Sequence, residues 1–241
     1  LHSGRDIQLS LHPAEENTGI VFIRTDVTDK NNVIPALWNK VADTQLCSVI
    51  ANEDGVSVGT IEHLMSALRG LNIDNVRIEL DGAEVPVMDG SAMPFVELIE
   101  NAGVEAQAAP RKIIRILKDV TVEKDGKRVT LSPADGYVFG GMIVYDHPNI
   151  GNQGYEVQLL NGNFRHDIAE ARTFGFLKEV EWMRSQGLAL GGSLDNAIVL
   201  NDDGVMNPNG LRFDDEFIRH KLLDAIGDLY LAGAPIMGAS D

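Results

Sequence analysis

Hydrophobic and polar residues form short alternating runs at the start of the chain. These runs predict strands at IQLSLHPA (7–14), GIVFIRTDV (19–27) and NVRIEL (75–80). The segment SVIANEDGVSVGT (48–60) predicts a hairpin that turns at Glu53-Asp54-Gly55. The polar stretch from 28 to 46 is expected to be an irregular surface segment.

Two segments of the first half have helical spacing instead. In IEHLMSALRGL (61–71) the apolar residues recur every three or four positions, with Thr60 as the expected N-cap. The second predicted helix, PFVELIENAG (94–103), ends at Gly103.

A second set of elements follows a boundary near residues 102–112, which are rich in small residues and lose periodicity. Predicted strands are IIRILKDVTVEK (113–124), KRVTLSP (127–133), YVFGGMIVYD (137–146) and NAIVLND (196–202). Predicted helices are FRHDIAEARTF (164–174), LKEVEWMRSQG (177–187) and DDEFIRHKLLDAIGDLYLAG (214–233), whose first acidic residues suit the helix dipole.

The clustering of strands and helices favours an α+β fold over a doubly wound sheet. A weak repeat between EHLMSALRGL and RHKLLDAIGDL suggests two similar domains that share a cleft. We therefore predict two similar α+β domains, at 1–108 and 109–241, each of which offers one helix to a shared cleft.

Composition and charge exclude several classes of protein. The 241 residues include 20 Lys and Arg against 36 Asp and Glu, and the net charge of −16 argues against nucleic-acid binding. No apolar run is long enough to span a bilayer and no leader opens the chain, so we expect no stable membrane insertion. Cys47 is the one cysteine, which excludes internal disulfides, fits the cytoplasm and is expected to be a small buried core residue.

The candidate chemistry begins on the last predicted helix. His220 and Asp224 are four residues apart, so an imidazole and a carboxylate project from one face. Gly227 lies inside the same helix, where glycine costs about 1 kcal/mol relative to alanine, which indicates that some other group approaches closely there. A surface His–Asp pair fits the same spacing, so this alternative stays open.

Glu62 and His63 supply a second candidate pair on the first helix. His63 departs from the apolar stripe, and together with His220 and Asp224 it forms a plausible His2Asp set for a catalytic zinc. Glu62 could then accept a proton from water. Considered alone, however, Glu62-His63 is a weak signal, and a solvated pair is the default interpretation. The remaining histidines are expected in loops or at the surface: His2, His12, His147 and His166.

Two further stretches are less specific. Asp89-Gly90-Ser91 has good turn chemistry before a helix, with an N-capping role expected. The segment 174–203, with a helix between apolar stretches, could form a βαβ-like insertion that holds a hydrophobic chain, or it could be ordinary packing.

Six longer strings follow one another from Leu1 to about Gly238: LHSG, TIEHLMSALRGLNIDN, PVMDGSAMPF, ARTFGFLKEVE, LGGSLDNAIV and NGLRFDDEFIRHKLLDAIGDLYLAG. Together they resemble a known family, the UDP-3-O-acyl-N-acetylglucosamine deacetylases. Members of this family are zinc amidases that release acetate at the committed step of lipid A synthesis in Gram-negative bacteria.

The resemblance implies that each of the two α+β domains is a β-sheet packed against helices, and that they form a sandwich with the active site at the domain interface. It also implies a role for each matching residue. His63, His220 and Asp224 would bind one Zn²⁺ per chain, although nitrogen and oxygen ligands also accept Fe²⁺. Glu62 would be the general base, with Lys221 and Thr173 stabilising the oxyanion. Phe174 would contact the sugar, and an acyl passage would be lined by Leu177, Val180, Gly192, Ser193 and Val199. The substrate would be UDP-3-O-acyl-N-acetylglucosamine, bound by a monomer.

The sequence departs from the family pattern in one respect. Family members carry a further histidine in a Lys-x-Gly-His segment, a general acid oriented by the aspartate that matches Asp228. The given sequence ends at Asp241 before that segment. The alternative expectation is therefore a truncated form that binds zinc and substrate but is weakly active or inactive, with strong activity only in an extended form.

Overall fold

The first half of the chain folds into seven strands and two long helices, in a computed structural model that describes residues 1–241. The predicted hairpin at 48–60 and both predicted helices are confirmed. The elements are β1 (Leu9–Pro13), β2 (Ile20–Arg24), β3 (Val33–Pro35), β4 (Val41–Asp43), β5 (Val49–Ala51), β6 (Ser57–Val58), α1 (Glu62–Gly70), β7 (Val76–Leu80) and α2 (Met93–Ala102).

The second half adds nine strands and two more helices. They are β8 (Ile114–Arg115), β9 (Val120–Lys124), β10 (Lys127–Ser132), β11 (Tyr137–Val144), β12 (Asn152–Gln158), β13 (Phe174–Phe176), α3 (Leu177–Ser185), β14 (Ile198–Asn201), β15 (Gly204–Val205), α4 (Glu216–Tyr230) and β16 (Ile236–Ser240).

Each half contributes one main sheet. The first sheet has the order β1-β7-β2-β3, in which β7 is antiparallel to β1 and parallel to β2. The second has the order β12-β11-β16-β10-β9, with β8 also paired to β16. Mixed sheets packed against helices confirm the predicted α+β class. The division at residue 108 stays a prediction.

Helices α1 and α4 lie against each other and join the two halves in one core. A cluster of 31 buried apolar residues includes side chains from the first sheet, from both helices and from β11 and β12. A Cβ added at Gly227 of α4 would lie 2.2 Å from the Glu62 carbonyl oxygen of α1. The helix glycine therefore marks a close backbone approach, as its position in the sequence predicted.

Residues 174–201 form a β-α-β unit at the side of this core. Strands β13 and β14 are parallel neighbours, and α3 connects them. A separate cluster of four buried residues lies beneath the strands: Ile150, Ile198, Leu200 and Phe217. Helix α3 itself has no buried residue.

Several local predictions are wrong. Thr60 does not cap α1, because its backbone is left-handed at φ 55° and its hydroxyl donates to Glu84 Oε1 at 3.0 Å. The segment 164–174 is not one helix. A π-helical turn at Phe164–Ile168 ends early, since Thr173 N–H donates to the Gly90 carbonyl and Phe174 enters β13.

The stretch from 28 to 46 is more ordered than expected. Strand β3 pairs with β2, a 3-10 turn occupies Trp38–Lys40 and β4 pairs with β5. Ile34 is fully buried, which explains why this polar segment is held in a sheet. Strands β12 and β16 were also not predicted, because their sequences lack a long apolar run. None of the helices is both long and apolar enough to cross a membrane.

Candidate metal centre

Helices α1 and α4 bring the three predicted ligands together. His63 lies in the first turn of α1, and His220 and Asp224 face it from α4. The Nε2 atoms of His63 and His220 lie 3.7 and 3.3 Å from Asp224 Oδ1, and all three ligand atoms are within 4.8 Å of one another. Tetrahedral ligands about 2.0 Å from an ion are about 3.3 Å apart, so this donor set fits a divalent cation.

The backbone sets the tautomer of His220. Its Nδ1 lies 2.9 Å from the Ala171 carbonyl oxygen, which can only accept a hydrogen bond. The proton is therefore on Nδ1, and the lone pair of Nε2 faces Asp224. The rings of His63 and His220 meet edge to face with centroids 4.9 Å apart.

Burial favours the metal-binding form of both imidazoles. Desolvation, with His220 as the next cause, lowers the pKa of His63 to about 4, and desolvation also lowers the pKa of His220. Burial by itself would raise the pKa of Asp224, but His220, Lys221 and His63 outweigh it and lower that pKa. Two neutral imidazoles and one carboxylate are therefore available at neutral pH.

Glu62 lies beside this cluster with one free carboxylate oxygen. Its Oε1 accepts the Ser48 backbone N–H at 2.5 Å, whereas its buried Oε2 has no hydrogen-bond partner. Burial, followed by the charges of Asp224 and Asp228, raises the pKa of Glu62 to about 8. A nearby cation would draw this pKa down again. The unpartnered oxygen is positioned for a polar group that the protein does not supply.

Asp228 and Lys221 complete the polar groups on α4. Asp228 Oδ1 accepts a hydrogen bond from the Ser48 hydroxyl at 2.7 Å. Desolvation by the surrounding protein raises the pKa of Asp228 to about 6, although part of this residue is exposed to solvent. Lys221 Nζ lies 3.2 Å from Asp224 Oδ2, and that carboxylate raises the pKa of the ammonium. Lys221 is therefore a cation at the rim of the cluster.

Thr173 and Phe174 come from the segment that enters β13. Thr173 follows Ala171, the residue that orients His220, by two positions. Phe174 packs edge to face on Phe217 with centroids 5.0 Å apart, and Lys221 Nζ lies 5.4 Å from its ring centroid. The aromatic ring is thus adjacent to the cationic rim of the cluster.

The predicted acyl-passage residues belong to the β-α-β unit but not to one face. Val199 is paired with Gly175, and a Cβ at Gly175 would lie 3.6 Å from Val180, so Val180 and Val199 share a face. Phe174 lies on the opposite face of β13. Leu177 begins α3, whereas Gly192 and Ser193 lie in the following loop, which contacts the start of the chain through Gly191 N–H and the Leu1 carbonyl.

The sequence predicted the surroundings of Cys47 and of the remaining histidines less accurately. Cys47 is half-buried rather than a core residue, and burial raises the pKa of its thiol. His2 is not a simple surface residue, since both of its ring nitrogens are buried without a partner. His12 lies in β1, with Nε2 3.4 Å from Glu79. His147 and His166 are outside the cluster, as expected.

Ser91 also behaves differently from the prediction. Ala92, not Ser91, occupies the N-cap position of α2, although Ser91 Oγ accepts the Met93 N–H at 3.2 Å. The sequence also missed Ser48, which donates to both Glu62 and Asp228. Nothing in TQLCSVI distinguishes this serine, because its partners are distant along the chain.

Comparison with known proteins connects this geometry to a family. The model of the family LpxC, UDP-3-O-acyl N-acetylglycosamine deacetylase, matches residues 1–240. The chain belongs to this family. A UDP-3-O-acyl-N-acetylglucosamine deacetylase of Haemophilus influenzae (strain PittEE) is 51% identical over 240 residues, which cover 99% of this chain and 78% of the relative. The protein of the same name from Myxococcus xanthus is 50% identical over 238 residues, covering 99% of this chain and 75% of the relative.

Membership in the deacetylase family confirms the resemblance stated from the sequence. The chain is an enzyme of a metal-dependent deacetylase family that serves lipid A biosynthesis. A further deacetylase relative, from Neisseria meningitidis, is 49% identical over 245 residues, covering 99% of this chain and 79% of the relative. The truncated, weakly active alternative is not tested by these matches and stays a prediction.

Proposed function

We propose that this protein hydrolyses the N-acetyl amide of UDP-3-O-acyl-N-acetylglucosamine, using one Zn²⁺ held by His63, His220 and Asp224. The observation that carries the proposal is the convergence of these three ligand atoms within 4.8 Å beside the free oxygen of Glu62. The activity for which the family is named supports the substrate class. Two imidazoles and a carboxylate are typical of catalytic zinc sites, and Fe²⁺ can take the same ligands.

A bound divalent cation would act as a Lewis acid that polarises the amide carbonyl and increases the acidity of water. Glu62 Oε2 accepts a proton from the attacking water, because this oxygen has no other partner and the carboxylate is anchored through Oε1 by Ser48. The hydroxyl adds to the carbonyl carbon. Cleavage of the C–N bond then requires a proton on the leaving nitrogen, and the products are acetate and an amine.

The oxyanion that forms on the carbonyl oxygen requires positive charge and hydrogen-bond donors. Lys221 supplies an ammonium group whose raised pKa keeps it charged at neutral pH. Thr173 supplies a hydroxyl from the segment held against α4 through Ala171 and His220. Donors and charges that are fixed before the reaction stabilise such an oxyanion most effectively, so both groups are assigned this role. Asp228, next to the same cluster, orients the group that donates to the leaving nitrogen.

The β-α-β unit is proposed to hold the rest of the substrate. Phe174 contacts the sugar beside Lys221, and the acyl chain lies along Val180 and Val199 on the opposite face of the unit. The rest of the passage is lined by Leu177 at the start of α3 and by Gly192 and Ser193 in the following loop. The absence of buried residues in α3 supports this assignment, because its apolar side chains are not used in the core. All three metal ligands come from one chain, which supports activity as a monomer. The domains at 1–108 and 109–241 and a cytoplasmic location stay predictions.

Metal analysis after dialysis tests the proposed centre. We expect one Zn²⁺ per chain, and loss of most of it in His63→Ala, His220→Ala and Asp224→Ala. His12→Ala is the matched control, since His12 also lies near a carboxylate but outside the cluster. A folded protein that holds no zinc, or one whose zinc content is the same in all four variants, would contradict the proposal.

Acetate release from UDP-3-O-acyl-N-acetylglucosamine tests the reaction itself. We expect hydrolysis that a chelator abolishes and that added Zn²⁺ restores. Hydrolysis at the same rate in the chelated protein would refute the role of the metal. Zinc binding with no acetate release would favour the inactive alternative over the deacetylase.

A further inference from the structure

A buried ion pair lies directly behind the candidate centre, and the mechanism above does not use it. Glu216 is fully buried at the first turn of α4, and Arg172 is 8% exposed in the segment before β13. The guanidinium Nε lies 2.9 Å from Glu216 Oε1, and Nη2 lies 3.2 Å from Oε2. The sequence placed Glu216 only as a charge suited to the helix dipole.

The carboxylate of Glu216 also holds the backbone. Oε1 accepts the Arg172 backbone N–H at 3.0 Å, and Oε2 accepts the Arg212 backbone N–H at 2.6 Å. Arg172 Nη2 donates in addition to the Gly210 carbonyl at 2.9 Å. The pair therefore holds the segment at residue 172 and the loop at 210–212 against the first turn of α4.

This arrangement continues to a metal ligand. Glu216 and His220 are one helical turn apart on α4, and their side chains bond to two consecutive residues, Arg172 and Ala171. Glu216 binds Arg172, while His220 Nδ1 donates to the Ala171 carbonyl at 2.9 Å. A shift of Arg172 would move Ala171 and rotate the imidazole, and it would also displace Thr173, the next residue in the chain.

Stability alone is a weak explanation for the pair. A buried ion pair can often be replaced by well-packed apolar side chains without loss of stability, because desolvation offsets the Coulomb attraction. Backbone groups that accept or donate at fixed positions cannot be replaced in this way. What an apolar replacement would lose is the position of the 171–173 segment.

We propose that Arg172 and Glu216 are positioning residues for the metal centre: they fix the Ala171 carbonyl that orients His220, and with it Thr173. The proposal rests on the metal-binding role of His220 in the proposed function. Partners of this kind behind a ligating histidine typically change metal affinity or activity by about 10–100-fold.

The test is the double variant Arg172→Met/Glu216→Leu, which removes both charges and keeps the volume. We expect the Zn²⁺ dissociation constant, measured by chelator competition, to rise by about 10–100-fold. The thermal midpoint should fall as well, because the backbone N–H groups of Arg172 and Arg212 lose their acceptor. The visible absorption of bound Co²⁺ should change as well, because it reports the ligand geometry. Arg24→Met/Asp26→Leu is the matched control, since this bidentate pair lies on the first sheet. The control should leave zinc affinity and the Co²⁺ spectrum unchanged.

Arg172→Lys is the second variant if the double variant does not fold. It keeps the charge but loses the two-pronged contact, so we expect a smaller rise in the dissociation constant and a changed Co²⁺ spectrum. Unchanged affinity and spectrum in a folded variant would overturn the proposal. A parent protein that binds no Zn²⁺ would instead refute the proposed function, so the two failures are distinguishable.

Discussion

The helical layer of α1 and α4 and the β-α-β unit of residues 174–201 differ sharply in burial. In α1, every residue from His63 to Arg69 is buried, and α4 has nine buried residues, whereas α3 has none and exposes 57% of Trp182. The proposed metal ligands and base lie in the first region and the proposed acyl contacts in the second. Chemistry that needs fixed distances is thus assigned to the rigid core, and recognition of a long apolar chain to a lightly packed surface.

The largest effect expected is on turnover in the helical layer. Glu62→Gln should retain zinc and the hydrogen bond from Ser48 but lower the rate of acetate release by about 10²–10⁴-fold, because the amide cannot accept the proton. Glu179→Gln on α3 is the control and should leave the rate unchanged. Metal content and initial rates are the measurements, and an active Glu62→Gln variant would refute the role of Glu62 as base.

Truncation of a side chain should lower stability more in the helical layer than in the β-α-β unit. Leu223→Ala removes a fully buried side chain of α4 and should lower the free energy of unfolding by about 2–5 kcal/mol. Trp182→Ala in α3 should change it by no more than about 0.5 kcal/mol, since that side chain is largely exposed. Urea unfolding monitored by circular dichroism measures both. Equal losses would show that α3 belongs to the rigid core.

The helix crossing can be tested at its closest point. Gly227→Ala should destabilise the protein by about 1–3 kcal/mol, because the new Cβ would overlap the Glu62 carbonyl. Helix propensity acts in the opposite direction by about 1 kcal/mol. Thermal unfolding is the measurement, together with zinc content. Stabilisation by Gly227→Ala would contradict the close approach of α1 and α4.

Substitutions in the β-α-β unit should change substrate preference rather than stability. Val180→Phe narrows the proposed acyl face and should lower kcat/KM for a long-chain substrate by about 10-fold, with a smaller loss for a short-chain analogue. Zinc content should not change, because Val180 lies on α3 whereas the metal ligands lie on α1 and α4. Equal losses for both chain lengths would argue against an acyl passage on this face.

The smallest effect concerns the start of the chain, which binds Glu84 and also contacts the loop after α3. Burial by itself would raise the pKa of Glu84, but hydrogen bonds from the backbone N–H groups of His2 and Ser3 outweigh burial and lower this pKa. A depressed carboxyl pKa stabilises the fold at pH values above the ordinary 4.5, and this contribution disappears as the pH falls from 4.5 through the lowered pKa. Urea midpoints over this range should fall less steeply in Glu84→Gln than in the parent, and identical slopes would contradict the assignment.

Short-range patterns in the sequence were sufficient for much of the fold. The spacing of apolar residues predicted α1, α2 and α4, and the helix glycine Gly227 correctly indicated a close approach. The apolar spacing wrongly predicted one helix at 164–174. There the Thr173 N–H donates to the Gly90 carbonyl and the Ala171 carbonyl accepts from His220 of α4, so these groups do not form helical hydrogen bonds. Strand β16 was missed because a five-residue segment acquires its partners from β10, β11 and β8, which are far away in the chain.

For the candidate site, the sequence by itself determined the residue types and, through long matching strings, the family. The spacing of His220 and Asp224 indicated only a pair that a helix places on one face. Tertiary structure decided that His63 faces them, that Ser48 anchors Glu62 and Asp228, and that Glu216 holds Arg172 behind His220. The physical reason is that each of these contacts joins residues on different elements, so it depends on how the elements pack rather than on any local pattern.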